Sequence, residues 1–136
     1  MSESRYRQMI IADLRILHPV AVENSIGPGT PDINCSLGWI ELKWMKSYPK
    51  EGIIKIKHFT PQQRVWLLKR WRNCRGAWLL FKIGQDQFLF DGETASREVG
   101  KTLDRDGFIE KSLVYFPSGT YTPKELIICL KTSMTP

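Results

Sequence analysis

The stretch PDINCSLGWIELKW (residues 31–44) decides how this chain of 136 residues folds. Asp32 to Ser36 and Trp39 to Trp44 are rich in residues that favour extended structure, and Leu37-Gly38 between them suits a tight turn. We therefore expect two short strands joined as a β-hairpin.

Alternation along the second strand divides its side chains between two faces. Glu41 and Lys43 are two residues apart, so their side chains leave the same face of the strand. The other face is apolar and is expected to face the core; it carries Ile40, Leu42 and Trp44. The hairpin can also bring Asp32 beside Glu41.

The flanking sequence predicts further helices and strands around this hairpin. Apolar spacing favours a helix from Ser2 to Leu17, and Thr60-Pro-Gln-Gln63 opens a second helix with a capping box that runs to about Arg75. Further strands are expected at Val20 to Glu23, Ile54 to Phe59, Ala77 to Ile83, Gln87 to Phe90 and Leu113 to Phe116, with helices at Thr94 to Leu103 and Thr122 to Thr132. This order predicts one α/β or α+β domain with a central mixed sheet flanked by helices.

Composition and charge narrow the class of protein. The chain fits one domain of ordinary apolar content, with no apolar run long enough for a membrane span and no secretory signal at its start. Three widely spaced cysteines fit a reducing cytoplasm better than a disulfide framework. The net charge of +6 is uneven, because residues 1–82 carry 14 Lys/Arg against 6 Asp/Glu, while residues 83–136 carry 6 against 8. A polyanion such as nucleic acid is therefore expected to meet the first part of the chain.

The acidic pair and the lysine predict metal-assisted hydrolysis of a phosphodiester. Two adjacent carboxylates, Asp32 and Glu41, repel each other unless a cation lies between them, and Mg²⁺ or Mn²⁺ prefers such oxygen ligands. The backbone carbonyl of Leu42 can add a ligand, and Lys43 can stabilise the developing negative charge. The competing interpretation is a surface Glu–Lys pair with Asp32 as a turn residue.

These motifs resemble a known family. Gly27-Pro-Gly-Thr-Pro-Asp32, Gly38-Trp-Ile-Glu41-Leu-Lys43 and the helix opened by Thr60-Pro-Gln-Gln63 look like the PD-(D/E)XK nuclease superfamily, and most like its small VRR-NUC and Holliday-junction-resolvase-like members, many of them carried by bacteriophages. The resemblance covers roughly Glu3 to Ile83 and implies a restriction-endonuclease-like catalytic core over residues 1–83. Residues 84–136 are then accessory elements, and the Arg-rich signature of the VRR-NUC group is not evident after Ala77.

The resemblance implies a role for particular residues. Asp32 and Glu41 correspond to the metal-binding carboxylates, Lys43 to the catalytic lysine, and Gln63 to the glutamine that many such nucleases carry near the site. Gln63 is equally explained as part of the capping box. A further metal-binding acid is expected from Glu3 or from Glu23, and the choice stays open.

Two basic clusters flank the expected site. Lysines suit contact with phosphates and arginines add a bidentate grip, so these residues fit recognition of DNA shape more than of sequence. The predicted contacts are Lys46, Lys50, Lys55, Lys57, Arg64, Arg70 and Arg72. The alternative is a solvated helix face and a flexible loop.

The expected function is a Mg²⁺- or Mn²⁺-dependent endonuclease that cleaves branched DNA such as a Holliday junction. The expected location is the cytoplasm, which is the host cytoplasm if a phage encodes the protein. Such resolvases act as dimers, so a homodimer is expected. No G-x-x-x-x-G-K-[ST] loop occurs, so no nucleotide cofactor is expected. Two alternatives remain: a phage nuclease for flap, nicked or duplex DNA, and an inactive DNA-binding module built on the nuclease core.

Overall fold

A computed structural model describes residues 1–22 and 28–136 of the chain. The described strands are β1 (Val20–Ala21), β2 (Ile33–Cys35), β3 (Gly38–Met45), β4 (Ala77–Ile83), β5 (Asp86–Asp91) and β6 (Val114–Phe116). They form one six-stranded sheet in which spatial order follows chain order. Strands β3 and β4 run parallel, and every other described pair is antiparallel. The expected α+β domain with a mixed sheet is confirmed.

Five α-helices surround the sheet in the described ranges: α1 (Glu3–Asp13), α2 (Pro61–Cys74), α3 (Gly92–Arg97), α4 (Arg105–Lys111) and α5 (Pro123–Ser133). Helix α2 begins with the predicted capping box between Thr60 and Gln63. It also connects the parallel strands β3 and β4, which need a long crossover. None of the helices in these ranges is long and apolar enough to cross a membrane.

The sheet separates two apolar cores. On one face, α1 and α5 pack through residues such as Tyr6 and Leu130 against Ile40 and Leu80. On the other face, α2, α3 and α4 cover the aromatic side chains of β4 and β5, including Phe81. Because the sheet is covered on both faces, a charged side chain on a central strand is buried unless it lies near an open edge or end of the sheet.

The segment between β3 and α2 differs from the prediction. Ile54 to Phe59 forms no strand and runs as an irregular loop. The side chains of Ile54 and Phe59 are buried, and the Ile54 amide donates to the Leu103 carbonyl at 2.9 Å. The alternating pattern therefore marks two apolar anchors of a loop, and Lys55 and Lys57 lie exposed beside them.

Two helices, α2 and α4, also differ from what the sequence predicts. The apolar spacing of α2 predicts that Val65, Leu68 and Trp71 pack on the sheet, but Val65 is 48% exposed and Leu67 is fully buried instead. Helix α4 was not foreseen, because seven residues with a polar first turn give little periodicity.

Residues 84–136 supply two strands and three helices to the common sheet and cores, so they are integral to the domain.

Candidate active site

The hairpin places the two predicted carboxylates side by side. Ile33 pairs with Ile40 in the antiparallel register of β2 and β3, so the preceding residue, Asp32, lies opposite Glu41. Glu41 and Lys43 both leave the β3 face that α2 covers, since their partners on β4 are Leu79 and Phe81 of that core. The expected convergence of Asp32, Glu41 and Lys43 is thus present in the fold.

Glu41 is a buried acid held in an environment that disfavours its charge. Its residue is 2% exposed, and burial together with the nearby Asp32 carboxylate raises the pKa of Glu41 to about 8. Lys43 acts in the opposite direction but does not compensate fully. Burial is the larger cause of this raised pKa, and the neighbouring carboxylate adds to it.

Lys43 is fixed by three neighbours. Its ammonium lies 3.0 Å from the Glu41 carboxylate and donates to the His58 backbone carbonyl at 2.9 Å. It also stands 5.6 Å from the centre of the Phe59 ring. The residue is only 4% exposed, so few rotamers remain open to it. Neither the His58 carbonyl nor Phe59 was foreseen from the sequence, because both depend on how the loop before α2 returns to the sheet.

Asp32 is oriented by the backbone of β3. Its Oδ2 accepts a hydrogen bond from the Leu42 backbone amide at 2.8 Å. The carboxylate thus takes the place of the backbone carbonyl that β2 would offer to this amide if the strand began earlier. Since the amide and carbonyl of one strand residue point to the same edge, the Leu42 carbonyl also faces this edge beside Asp32. The predicted backbone ligand therefore lies on the same side as the carboxylate.

A cavity of about 190 Å³ opens at this edge and brings α1 to the site. Its walls are Glu3, Ser4, Arg7, Asp32 and Leu42. Glu3 therefore faces the same space as Asp32, and it sits in an ordered first turn because the Ser2 side chain accepts from the Arg5 amide. The other candidate acid, Glu23, lies outside the described residues. Sequence reasoning missed Arg7, although Glu3 and Arg7 are four apart on one helical face.

The donor set fits a hard divalent cation, with few protein ligands. Among residues 1–22 and 28–136, no group of three or more His, Cys, Asp or Glu side chains is close enough to hold a metal ion. Mg²⁺ commonly binds through one or two carboxylates and completes its octahedron with water and substrate phosphate. Asp32, Glu41 and the Leu42 carbonyl match that pattern, since together they supply two carboxylates and one carbonyl oxygen.

Gln63 has a structural use in this fold. Its side-chain Oε1 accepts a hydrogen bond from the Thr60 backbone amide at 3.0 Å, and its backbone amide donates to the Thr60 hydroxyl at 3.2 Å. No hydrogen bond joins it to Asp32, Glu41 or Lys43 in the described part of the chain. Its role in the site stays a prediction.

Gly29 sets the path of the chain into the site. It has φ +84°, and a Cβ there would meet the Gln62 backbone at 2.5 Å. The turn before Asp32 therefore rests directly on the start of α2, which only glycine permits.

The four predicted lysine contacts all lie exposed on the loop between β3 and α2: Lys46, Lys50, Lys55 and Lys57. Two anchors hold this loop. The Tyr48 hydroxyl donates to Asp86 on β5, and the Ile54 amide is bonded to Leu103. The C-terminal elements therefore position the loop, although they carry no net positive charge themselves.

The arginines of α2 behave differently from the prediction. Arg64 was expected to contact DNA, but it is 8% exposed and its Nη1 donates to the backbone carbonyls of Ala95, Ser96 and Val99. Its guanidinium also stacks 4.2 Å from the centre of the Phe59 ring. This residue binds α3 to α2, so its assignment to the DNA-binding set was wrong.

Arg70 and Arg72 lie nearer the surface than Arg64 does. Arg72 is exposed and pairs with Glu93 at 3.0 Å, so part of its charge is already compensated. Arg70 is half-buried, and its Nε is buried without a hydrogen-bond partner in the described residues.

The site thus joins a hairpin edge to two neighbours: the first turn of α1 shares a small cavity with Asp32 and Leu42, and the loop before α2 holds Lys43 beside Glu41. Comparison of the chain with protein-family models, with curated proteins and with solved structures gives no match.

Proposed function

We propose that this protein is a metal-dependent endonuclease that hydrolyses DNA phosphodiester bonds. The observation that carries the proposal is the pair of adjacent acids, Asp32 and Glu41, with the Lys43 ammonium 3.0 Å from the second of them. A buried Glu–Lys pair alone is weak support, since such pairs also serve structure. The second carboxylate on the same face is what a purely structural pair does not need.

Each residue has a distinct part in this proposal. Asp32, Glu41 and the Leu42 carbonyl would hold Mg²⁺ or Mn²⁺, which supplies Lewis-acid polarisation of the phosphate and a water of lowered pKa. Glu41 gives up the proton that burial and Asp32 now favour. Lys43 donates hydrogen bonds to the phosphoryl oxygens as their charge grows, from a position set by His58 and Phe59. Arg7, which lines the same cavity as Asp32 and Leu42, can bind a phosphate there.

The preferred substrate in this proposal is branched DNA, such as a Holliday junction, bound by a homodimer in the cytoplasm. This finer assignment rests on the resemblance to small resolvase-like nucleases. The exposed lysines between β3 and α2 support it only in part, because they suit backbone contact without base reading.

One assay tests the proposal and its alternatives together. The full chain is incubated with four-way junction, flap, nicked, single-stranded and plain duplex DNA, each with Mg²⁺, Mn²⁺ or EDTA. We expect cleavage that requires metal and is fastest on the junction. Binding without cleavage of any substrate would instead identify an inactive DNA-binding module. Equal cleavage of plain duplex would reject the junction preference while keeping the nuclease.

A further inference from the structure

A second cavity lies on the face of the sheet that α1 and α5 cover, at the end where the parallel strands β3 and β4 both finish. Its volume is about 480 Å³, and its walls are Met1, Trp44, Lys46, Lys82, Gly84 and Gln85. Trp44 and Lys82 belong to the face that α1 and α5 cover, whereas Glu41 and Lys43 face α2. The two cavities share no lining residue among those described.

Lys82 is a buried cation with no acidic partner in the described part of the chain. The residue is 7% exposed, yet among the described residues it forms no ion pair. Its neighbours across the sheet are Trp44 on β3 and Gln87 on β5, and the Gln87 side chain already accepts from the Tyr6 hydroxyl at 2.7 Å. Lys43, which is as well buried, has both a carboxylate and a carbonyl. A cation in the position of Lys82 gains stability when an anion enters the cavity.

Lys46 completes the cationic lining. It is the first residue after β3, and the Gly84 amide donates to the Met45 carbonyl at 3.0 Å, which fixes the turn between β4 and β5 beside it. Among the described residues, none of those lining the cavity is acidic. The exposed Gln85 adds an amide that can donate to an oxygen.

We infer that this cavity is a phosphate-binding site for nucleic acid, with the phosphate between Lys46 and Lys82 and the attached base against the Trp44 indole. Two ammonium groups without a carboxylate select an anion, and a half-buried tryptophan beside them selects a base over an acidic peptide. The volume falls in the range of small-ligand pockets, about 300–1,000 Å³. The inference goes beyond the nuclease proposal, because binding here needs neither the metal nor cleavage.

The test is a binding measurement in EDTA, so that failure of the nuclease proposal does not affect it. The full chain is titrated with dTMP, with a 5′-phosphorylated single-stranded oligonucleotide and with the same oligonucleotide bearing a 5′-hydroxyl. The variants are Lys82→Met, which keeps the apolar stem, and Lys46→Ala. Lys111→Met, an exposed lysine on α4, is the matched control for charge.

We expect both site variants to bind about tenfold more weakly than the control, since each removes a charge-assisted hydrogen bond. A preference for the 5′-phosphate identifies a strand end, equal binding of both oligonucleotides identifies internal phosphates, and binding of dTMP alone identifies a free nucleotide. Equal affinity of K82M, K46A and K111M would overturn the inference.

A second measurement covers the case in which K82M fails to fold. Inorganic phosphate and dTMP are titrated into the isotope-labelled wild-type chain, and amide and indole resonances are followed. We expect the first shifts at Trp44, Lys82 and Gly84. Shifts confined to the loop from 50 to 58 or to α2 would contradict the inference.

Discussion

Two buried carboxylates in this molecule, Glu41 and Asp86, lie in opposite kinds of surroundings. Asp86 is 8% exposed and is surrounded by donors: the Tyr48 hydroxyl and, at 3.5 Å, the Tyr115 hydroxyl reach Oδ2, and the Ser118 amide reaches Oδ1 at 2.9 Å. Arg105 stands 3.6 Å away. Glu41 has one cation and, beside it, a second carboxylate.

The difference separates a structural acid from a reactive one. Asp86 accepts hydrogen bonds on both of its carboxylate oxygens, and it ties β5 to the loop before α2 and to the residues after β6. Burial and the bond to Asp86 also raise the pKa of Tyr48 far above its ordinary value, so that hydroxyl remains a donor. Glu41 is under-compensated, which a protein tolerates where function requires it.

The largest expected effect comes from replacing each acid by its amide. Glu41→Gln should lower the cleavage rate by about a thousandfold or more, because it removes a proposed metal ligand while keeping shape. Asp86→Asn should leave cleavage per folded molecule within a few fold, while it lowers the free energy of unfolding by about 1–3 kcal/mol. Single-turnover cleavage and urea unfolding of both variants measure this. A similar loss of cleavage in D86N would remove the distinction.

Arg64 and Arg72 extend the comparison to cations, since one is buried in the fold and the other is exposed. Arg64→Ala should destabilise the fold by about 3 kcal/mol, because three carbonyls lose a buried charged donor. Thermal and urea unfolding measure the loss. The matched control is Arg72→Ala, whose exposed pair with Glu93 should be worth less than about 1 kcal/mol. Equal stability of the two variants would contradict the structural role of Arg64.

The protonation of Glu41 predicts how stability depends on pH without metal. Its pKa is about 8 in the folded chain against an ordinary 4.5, so between these values the folded state holds a proton that the unfolded state has released. The free energy of unfolding should therefore fall as pH rises through this window, by roughly 3–4 kcal/mol between pH 5 and pH 8. Urea unfolding in EDTA across this range measures the slope. The E41Q variant should lose this contribution, and an unchanged slope in it would assign the effect elsewhere.

The smallest expected effect concerns the lysines outside the site. Lys55→Ala and Lys57→Ala should each weaken DNA binding at all sequences alike and reduce the slope of log K against log salt by about 1. Stability should hardly change, since both side chains are exposed. Lys124→Ala on α5 is the control, and an equal loss of affinity there would show that the loop is no special binding surface.

Local patterns in the sequence were enough to predict much of this fold and the centre of the site. The alternation of β3 and the hairpin register place Asp32, Glu41 and Lys43 together, and the capping box marks the start of α2, because these depend on neighbours within about ten residues. Arg64, Phe59 and Arg7 could not be assigned in this way. Their surroundings come from α3, the irregular loop and the edge of the sheet, which are brought together only by long-range packing.

The loop from 46 to 59 could not be predicted from local patterns either, because long-range packing determines its path. Its alternating residues suggested a strand, but a strand needs a neighbour at the sheet, and β4 and β2 already flank β3. Ile54 and Phe59 are buried as separate anchors instead.

The most direct test of the central claim is Mn²⁺ binding to the full chain, followed by electron paramagnetic resonance at pH 8, where Glu41 can lose its proton. The account predicts binding in wild type that is lost or at least tenfold weaker in Asp32→Asn and in Glu41→Gln, and unchanged in Asp86→Asn. Equal Mn²⁺ binding by wild type, D32N and E41Q, or none by wild type, would contradict it.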